Sequence, residues 1–336
     1  MDVDDLAARA RKRSPLRPVV PLPRLPEGVL HAALPTPFPV GPVNCWLLVD
    51  APVTLVDPGV FTADSLAAVD ALLARARLGI GAVEQVVVTH AHPDHSGAAW
   101  HFADRAGAPL VCGRGELAKL LADHRTGTPF MRVLDELGVP PTVRPVIGAG
   151  SPLVRRPPSG AVVVVDDGDT IVAGGRSFRA VVTPGHAAGH LSLWDGATLL
   201  SGDHLLPRII PTALLETDPL TECRRPSLAE YLVGLDRILA LAPQAILPGH
   251  GEAFTDAEAV GERVRRYHHA RLAIVHASLR DGGQGSAWDV QSRLFPRLEG
   301  YATLGAVAQV VGHLDLLVAA GRVDVDTAVV PHRYTT

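Results

Sequence analysis

Lysine is almost missing. Lys12 and Lys119 are the only two lysines in 336 residues, so arginine carries nearly all the positive charge. Formal net charge is −4, which argues against a surface built throughout to hold nucleic acid. Cysteine is scarce as well. Cys45, Cys112 and Cys223 are far apart, which excludes a disulfide framework and fits reduced thiols. Aromatic residues are 4% of the chain, but hydrophobic residues are 47%, enough for a sizeable core and against global disorder. No stretch approaches the roughly 18–20 apolar residues that span a bilayer. The first residues put acids before a basic run and lack an apolar segment of signal-peptide length. The expectation is a cytoplasmic protein without a membrane partner. One residue type is in excess, the 15 histidines.

Composition along the chain suggests three parts. Residues 1–28 read as an extended strap, because Pro15, Pro18, Pro21, Pro23 and Pro26 deny it helix and ladder. Its run Arg9–Arg13 reads as a solvated tail. Residues 29–255 repeat short apolar runs broken by Gly and Pro. Asn44–Val49 and Val53–Val56 read as a hairpin, and Gln85–Thr89, Ala108–Val111, Ala161–Val165, Ile171–Val172, Phe178–Val182, Leu191–Trp194, Thr198–Leu200 and Ala245–Leu247 as further strands. Helical spacing covers Ser65–Arg77, with Asp64 or Ser65 as cap, and Ser96–Ala106. Ser227 and Glu230 fit a capping box at the head of Ser227–Leu241. This alternation predicts an α/β fold with two packed sheets and helices outside, an αββα layering. Residues 256–336 change texture. Three helical patterns, Ala257–Arg280, Ser286–Pro296 and Leu304–Ala320, precede a possible hairpin of Val323–Val325 with Ala328–Val330, a winged-helix outline. There is no repeat at solenoid spacing.

The histidines concentrate at one point. His90-Ala91-His92-Pro93-Asp94-His95 follows a predicted strand. Buried together without metal, three imidazoles and a carboxylate would leave many polar atoms to satisfy. Imidazole mixed with carboxylate suits Zn²⁺. Further candidates also follow short strands: His186 in Thr183-Pro184-Gly185-His186, Asp203 in Ser201-Gly202-Asp203, and His250 in Pro248-Gly249-His250-Gly251. In each, Gly permits a tight turn beside the polar residue.

This motif set, HAHPDH, TPGHAAGH, SGDH and PGHGE, together with Leu55-Val56-Asp57-Pro58-Gly59, resembles the metallo-β-lactamase-fold hydrolase superfamily over about residues 29–255. The resemblance implies the αββα sandwich and two Zn²⁺ per chain. It implies that His90, His92 and His186 hold one ion, that Asp94, His95 and His250 hold the other, and that Asp203 bridges them. Asp57 would tie down a ligand histidine or a loop. The absence of a Cys ligand looks like the glyoxalase II, lactonase and RNase Z branches. The C-terminal outline is similar to the winged-helix extension of the lactamase-beta-like 2 group, some of whose members are endoribonucleases.

The implied chemistry is attack by a hydroxide shared between ions roughly 3.5–4 Å apart, with Asp94 directing it and a metal holding the oxyanion. His190 is read as a structural hydrogen-bonding residue of its turn. His204, directly after Asp203, and Arg208 are possible substrate contacts. His268 and His269 fit a solvated or interdomain face better than the site mouth. Arg224 and Arg225 could grip an anion or be surface charge. Apolar residues of two insertions, Phe130, Met131, Val133 and Leu134 in one and Leu205, Leu206, Ile209, Ile210 and Leu214 in the other, could line a pocket or complete a core. Residues 29–262 hold 16 Lys/Arg against 25 Asp/Glu, which weighs against a polyanion. The leading expectation is a zinc hydrolase of a small acyl ester or thioester. The alternatives are a zinc endoribonuclease that clamps RNA with the winged region and a non-catalytic winged-helix binding protein. A homodimer through the C-terminal helices is a further expectation.

Overall fold

The computed structural model describes residues 17–121, 128–144, 153–155, 160–218, 221–299 and 301–336, apart from the side chains of 128 and 301. The Arg9–Arg13 run, His124 and much of the Pro- and Gly-rich loop before residue 160 lie outside the described residues.

Two sheets form the centre. One has the order β1 (Val29–Leu34), β2 (Val43–Leu48), β3 (Thr54–Val56), β4 (Gln85–Val88), β5 (Leu110–Gly113), β6 (Val162–Val165). Its first three strands pair antiparallel, and β3 to β6 run parallel. Between β3 and β4 lies helix α1 (Ala63–Arg75), and between β4 and β5 lie α2 (Pro93–Ser96) and α3 (Ala99–Ala106). After β5 come the short helices α4 (Leu117–Leu121) and α5 (Thr128–Glu136). The second sheet places β7 (Thr170–Ala173), β8 (Arg176–Val182), β9 (Leu191–Trp194) and β10 (Thr198–Gly202) antiparallel in sequence, and β11 (Ala245–Pro248) joins β10 in parallel. Helix α6 (Ser227–Ala240) supplies the crossover.

Strand periodicity explains the layers. Side chains alternate across a strand, so a strand buried on both faces feeds two cores. In β2, Trp46 and Leu48 enter the core between the sheets, where they join Val87, Val111, Phe178, Leu193 and Leu247. Cys45 and Leu47 point the other way, toward Leu72 of α1 and Trp100 and Phe102 of α3. The opposite outer core joins Leu199 and Ile246 to Tyr231, Leu232 and Leu235 of α6. This is the expected αββα order.

The C-terminal segment contains α7 (Ala257–Gly282), α8 (Ala287–Leu294), α9 (Tyr301–Ala319) and an antiparallel pair, β12 (Asp324–Asp326) with β13 (Arg333–Thr335). Asp256 caps α7 through the amide of Ala259 at 3.0 Å. The apolar core runs on across this point, from Ile246 and Leu235 to Val264, Leu272, Val311 and Leu314. Residues 302–319 are long and apolar enough by composition to cross a membrane, which the reading of apolar runs missed; in the structure 61% of that window is buried. Part of the N-terminal strap is extended, with Leu22 donating to Ala253 O and Thr255 to Val20 O.

Several local expectations are corrected. Thr62, not Asp64 or Ser65, caps α1, because its hydroxyl accepts from Ser65 N. The helix expected over Ser96–Ala106 is two, α2 and α3. No capping box heads α6: Ser227 is already helical, and the Glu230 carboxylate is taken by Arg225 at 2.6 and 3.1 Å. A capping box does form at α8, between Ser286 and Asp289. The second strand of the C-terminal hairpin is Arg333–Thr335, not Ala328–Val330.

Candidate metal centre

The candidate ligands follow strands that point the same way. His90 follows β4, His186 follows β8, Asp203 follows β10 and His250 follows β11. The loops therefore converge at one end of the sandwich. His90, His92 and His186 place donor atoms within 4.8 Å of one another, as do Asp94, His95 and His250, and as do His90, His95 and Asp203. Asp203 lies between the first two groups. Its Oδ2 is 3.6 Å from His186 Nε2 and 3.5 Å from His250 Nε2, and its Oδ1 is 3.4 Å from His95 Nε2. Asp94 Oδ2 lies 3.4 Å from His250 Nε2. Gly249 makes this approach possible, since a Cβ there would meet Asp203 Oδ1 at 2.2 Å.

The histidines are oriented from behind. His95 Nδ1 donates to Asp57 Oδ2 at 2.8 Å, His186 Nδ1 to Thr212 O at 2.8 Å, and His250 Nδ1 to Pro42 O at 2.8 Å. His90 Nδ1 faces Thr89 Oγ1 at 3.1 Å, and that hydroxyl donates to Asp57 Oδ2 at 2.7 Å. Each Nδ1 proton thus points outward, which leaves Nε2 as a lone pair aimed inward. Among the described residues, the buried side-chain atoms without a hydrogen-bond partner include Nε2 of His90, His95, His186 and His250, with Asp203 Oδ1. Buried polar atoms are seldom left so. The tautomers, the orphaned lone pairs and the carboxylates between them fit metal ions held by nitrogen and oxygen donors.

The electrostatics agree. Burial, reinforced by neighbouring imidazoles, holds His90 and His92 well below the usual histidine range. Burial opposes charge on His95 and His250 too, but the surrounding carboxylates outweigh it. Asp203, Asp57 and Asp94 raise His95 well above its ordinary value, and Asp203 and Asp94 lift His250 to about 9. Asp203 is held well below the usual carboxylate range, burial being overcome by His95 and His250. The carboxylates therefore demand positive charge at the centre, which bound cations would supply.

The other candidate residues separate. Asp57 adopts a left-handed φ of 50° and also accepts from Thr89 N at 2.8 Å, so it braces the loop as well as His95. His190 Nε2 accepts from Asp203 N at 3.0 Å, while its Nδ1 faces Thr183 Oγ1 at 2.9 Å. His204 is fully buried, its ring 4.6 Å from that of Tyr231, and so offers no surface to a substrate. Arg208 is exposed and pairs with Glu252 at 3.2 Å. Arg224 forms a two-pronged pair with Asp315, and Arg225 is held by Glu230, so neither is a free anion grip. Val133, Leu134, Leu205 and Leu206 are buried in local cores, while Ile209 is exposed. His268 is buried against Tyr231 and His313 rather than solvated.

Two supports escaped the reading of the sequence. Asn44 Nδ2 donates to Pro248 O and Gly251 O at 2.8 and 2.7 Å, which clamps the His250 loop. Glu116, fully buried, accepts from Ala91 N at 2.9 Å and Gly189 N at 2.6 Å. A polar residue beside Gly after a short strand was the signal that located His186 and His250. Gly113-Arg114-Gly115-Glu116, beginning on the last residue of β5, carries the same signal.

The sequence profile of the metallo-beta-lactamase superfamily matches residues 38–250. A probable metallo-hydrolase of Bacillus subtilis is 29% identical over 305 residues, 87% of this chain and 93% of its own length. A beta-lactamase-like protein 2 homolog of Caenorhabditis elegans is 26% identical over 260 residues, 76% of this chain and 70% of its own. The crystal structure of a metallo-beta-lactamase family protein from Thermus thermophilus superposes with a TM-score of 0.76 at 28% identity, covering 93% of this chain and 99% of the other. With the fold and the converging donors, these likenesses establish that the chain belongs to the metallo-beta-lactamase superfamily and is a metallo-hydrolase of that fold.

Proposed function

We propose that the chain is a two-zinc hydrolase of small acyl esters or thioesters. The observation that carries this reading is Asp203, placed between a three-histidine group and an Asp94–His95–His250 group. In this reading His90, His92 and His186 would hold one ion and Asp94, His95 and His250 the other, with Asp203 within reach of both groups. Bound there, the ions would supply an acidified water and a Lewis acid for the substrate oxygen.

The chain's own groups do the rest. Asp94 is the more exposed of the two central carboxylates, at 11% against 7%, and is placed to accept a hydrogen bond from the attacking water. Asp57, Thr89, Thr212 and Pro42 keep the imidazole lone pairs turned inward. The 205–218 loop, tied to the centre through Thr212 O, presents exposed Ile209 and Arg208; the Arg208 pair with Glu252 is exposed on both sides and so weakly held, which leaves the cation accessible. An apolar and a cationic side chain together suit an acyl compound with an anionic end. A polyanion is less well served, because Arg224, Arg225 and Arg263 are occupied by internal acceptors.

The test is elemental analysis of the purified protein, then assays of the zinc-loaded form on acyl thioesters, lactones and single-stranded RNA. Close to two zinc per chain and turnover of a thioester or ester are expected. RNA cleavage without ester turnover would replace the substrate assignment, and no metal uptake after zinc reconstitution would refute the reading.

A further inference from the structure

Between the two loops that carry His90, His92 and His186 lies a carboxylate that belongs to neither. Glu116 ends a 3-10 turn, Arg114–Glu116, directly after β5. Its side chain is fully buried. Oε2 accepts from the amide of Ala91, the residue between His90 and His92, at 2.9 Å. Oε1 accepts from the amide of Gly189, three residues beyond His186, at 2.6 Å. A buried carboxylate accepting two amides from separate loops is a strong, directional tie. The backbones meet here with no room to spare, since a Cβ on Gly189 would come within 2.6 Å of Gly115 Cα and Glu116 N. The buried charge is answered by Lys119, whose Nζ is 3.5 Å from Glu116 Oε1 and 2.5 Å from Glu216 Oε1. Glu216 lies on the 205–218 loop, so the chain of charges reaches from the metal loops to the loop that holds His186 through Thr212 O.

We propose that Glu116 is a positioning residue of the metal centre: by holding the amides of Ala91 and Gly189 on one carboxylate, it sets the separation of His90 and His92 from His186. This deepens the two-zinc reading and rests on it. Asp57 braces His95 and, through Thr89, His90, which sit on one loop, and Asn44 clamps the His250 loop alone. Glu116 acts on backbone, and it joins two ligand loops at once.

Glu116→Gln separates this role from simple space-filling. The shape is kept, but one end of the amide presents N–H groups to a backbone N–H, so only one loop can be held. Zinc affinity is measured by competition with a chromophoric chelator, and the visible spectrum of the cobalt-loaded protein is recorded, with circular dichroism as the check on folding. The expected result is zinc affinity lower by roughly 10–100-fold and an altered cobalt spectrum in a folded protein. Zinc affinity within twofold of the parent and an unchanged cobalt spectrum would overturn the proposal. If the variant does not fold, hydrogen exchange of the parent decides. The amides of Ala91 and Gly189 should exchange slowly in the metal-free protein, because their partner is Glu116 and not an ion; rapid exchange at either overturns the proposal. A parent protein that binds neither zinc nor cobalt would instead overturn the two-zinc reading, and this proposal with it.

Discussion

Asp57 Oδ2 lies 2.8 Å from His95 Nδ1, and the same oxygen accepts the Thr89 hydroxyl at 2.7 Å. The residue after β3 thus orients one histidine directly and a second, His90, through Thr89. Asp57→Asn keeps the volume but turns an amide nitrogen toward donors. The expected loss is about 10–100-fold in zinc affinity or in kcat, with the fold retained. Chelator competition and steady-state kinetics check it, and parent values in both would remove Asp57 from the support of the site.

Asp203→Ala is expected to cut turnover of whichever substrate is found to below about one-hundredth of the parent rate. The backbone amide of residue 203 would still reach His190, so the secondary structure should stay intact. Metal content and activity should fall together. Full activity would rule out the bridging role.

His268 and His313 predict an acid-sensitive core. Their rings meet at 3.2 Å between Nδ1 of His268 and Nε2 of His313, and His313 Nδ1 donates to Gln309 O. Burial, with Arg271 adding to it, pushes His313 down to about 4, while burial and His313 hold His268 well below the ordinary value. Below about pH 6.5 the unfolded chain binds protons that the folded one refuses, so stability is full above that pH and declines as pH falls toward 4. For His313 the loss at pH 4.5 is about 2–3 kcal/mol. Urea unfolding at pH 7.5 and 4.5 should show a smaller acid loss in His313→Gln than in the parent. Equal losses would contradict the assignment.

Arg224 and Asp315 couple the loop after Asp203 to α9 through contacts of 2.6 and 2.8 Å. Both side chains are mostly buried, so removing one partner strands the other. Arg224→Met is expected to cost about 2 kcal/mol, and Arg224→Met with Asp315→Leu to recover much of that. A double-mutant cycle by urea unfolding measures it, and additive effects would show that the pair is uncoupled.

Much of the site was legible because its donors are local. His90, His92, Asp94 and His95 sit in six consecutive residues, and His186, Asp203 and His250 each follow a short strand beside a glycine. A turn of that kind needs no distant residue to be recognised. The strand pattern was legible for the same reason, since alternating burial is written into neighbouring positions. Helix caps were less so: Ser227 and Glu230 have the spacing of a box, but Arg225 outcompetes the backbone for the carboxylate.

What the order of residues determined by itself was the layered α/β plan, the candidate donor residues and their place at strand ends. What only the tertiary structure decided was partnership across long separations. Asp57 meets His95, Glu116 meets Gly189, Asn44 meets the His250 loop, and His268 meets His313 inside a core shared by α6, α7 and α9. These contacts join residues up to 207 positions apart. A linear pattern carries no signal for them, because burial and packing, not spacing, choose which donor faces which acceptor.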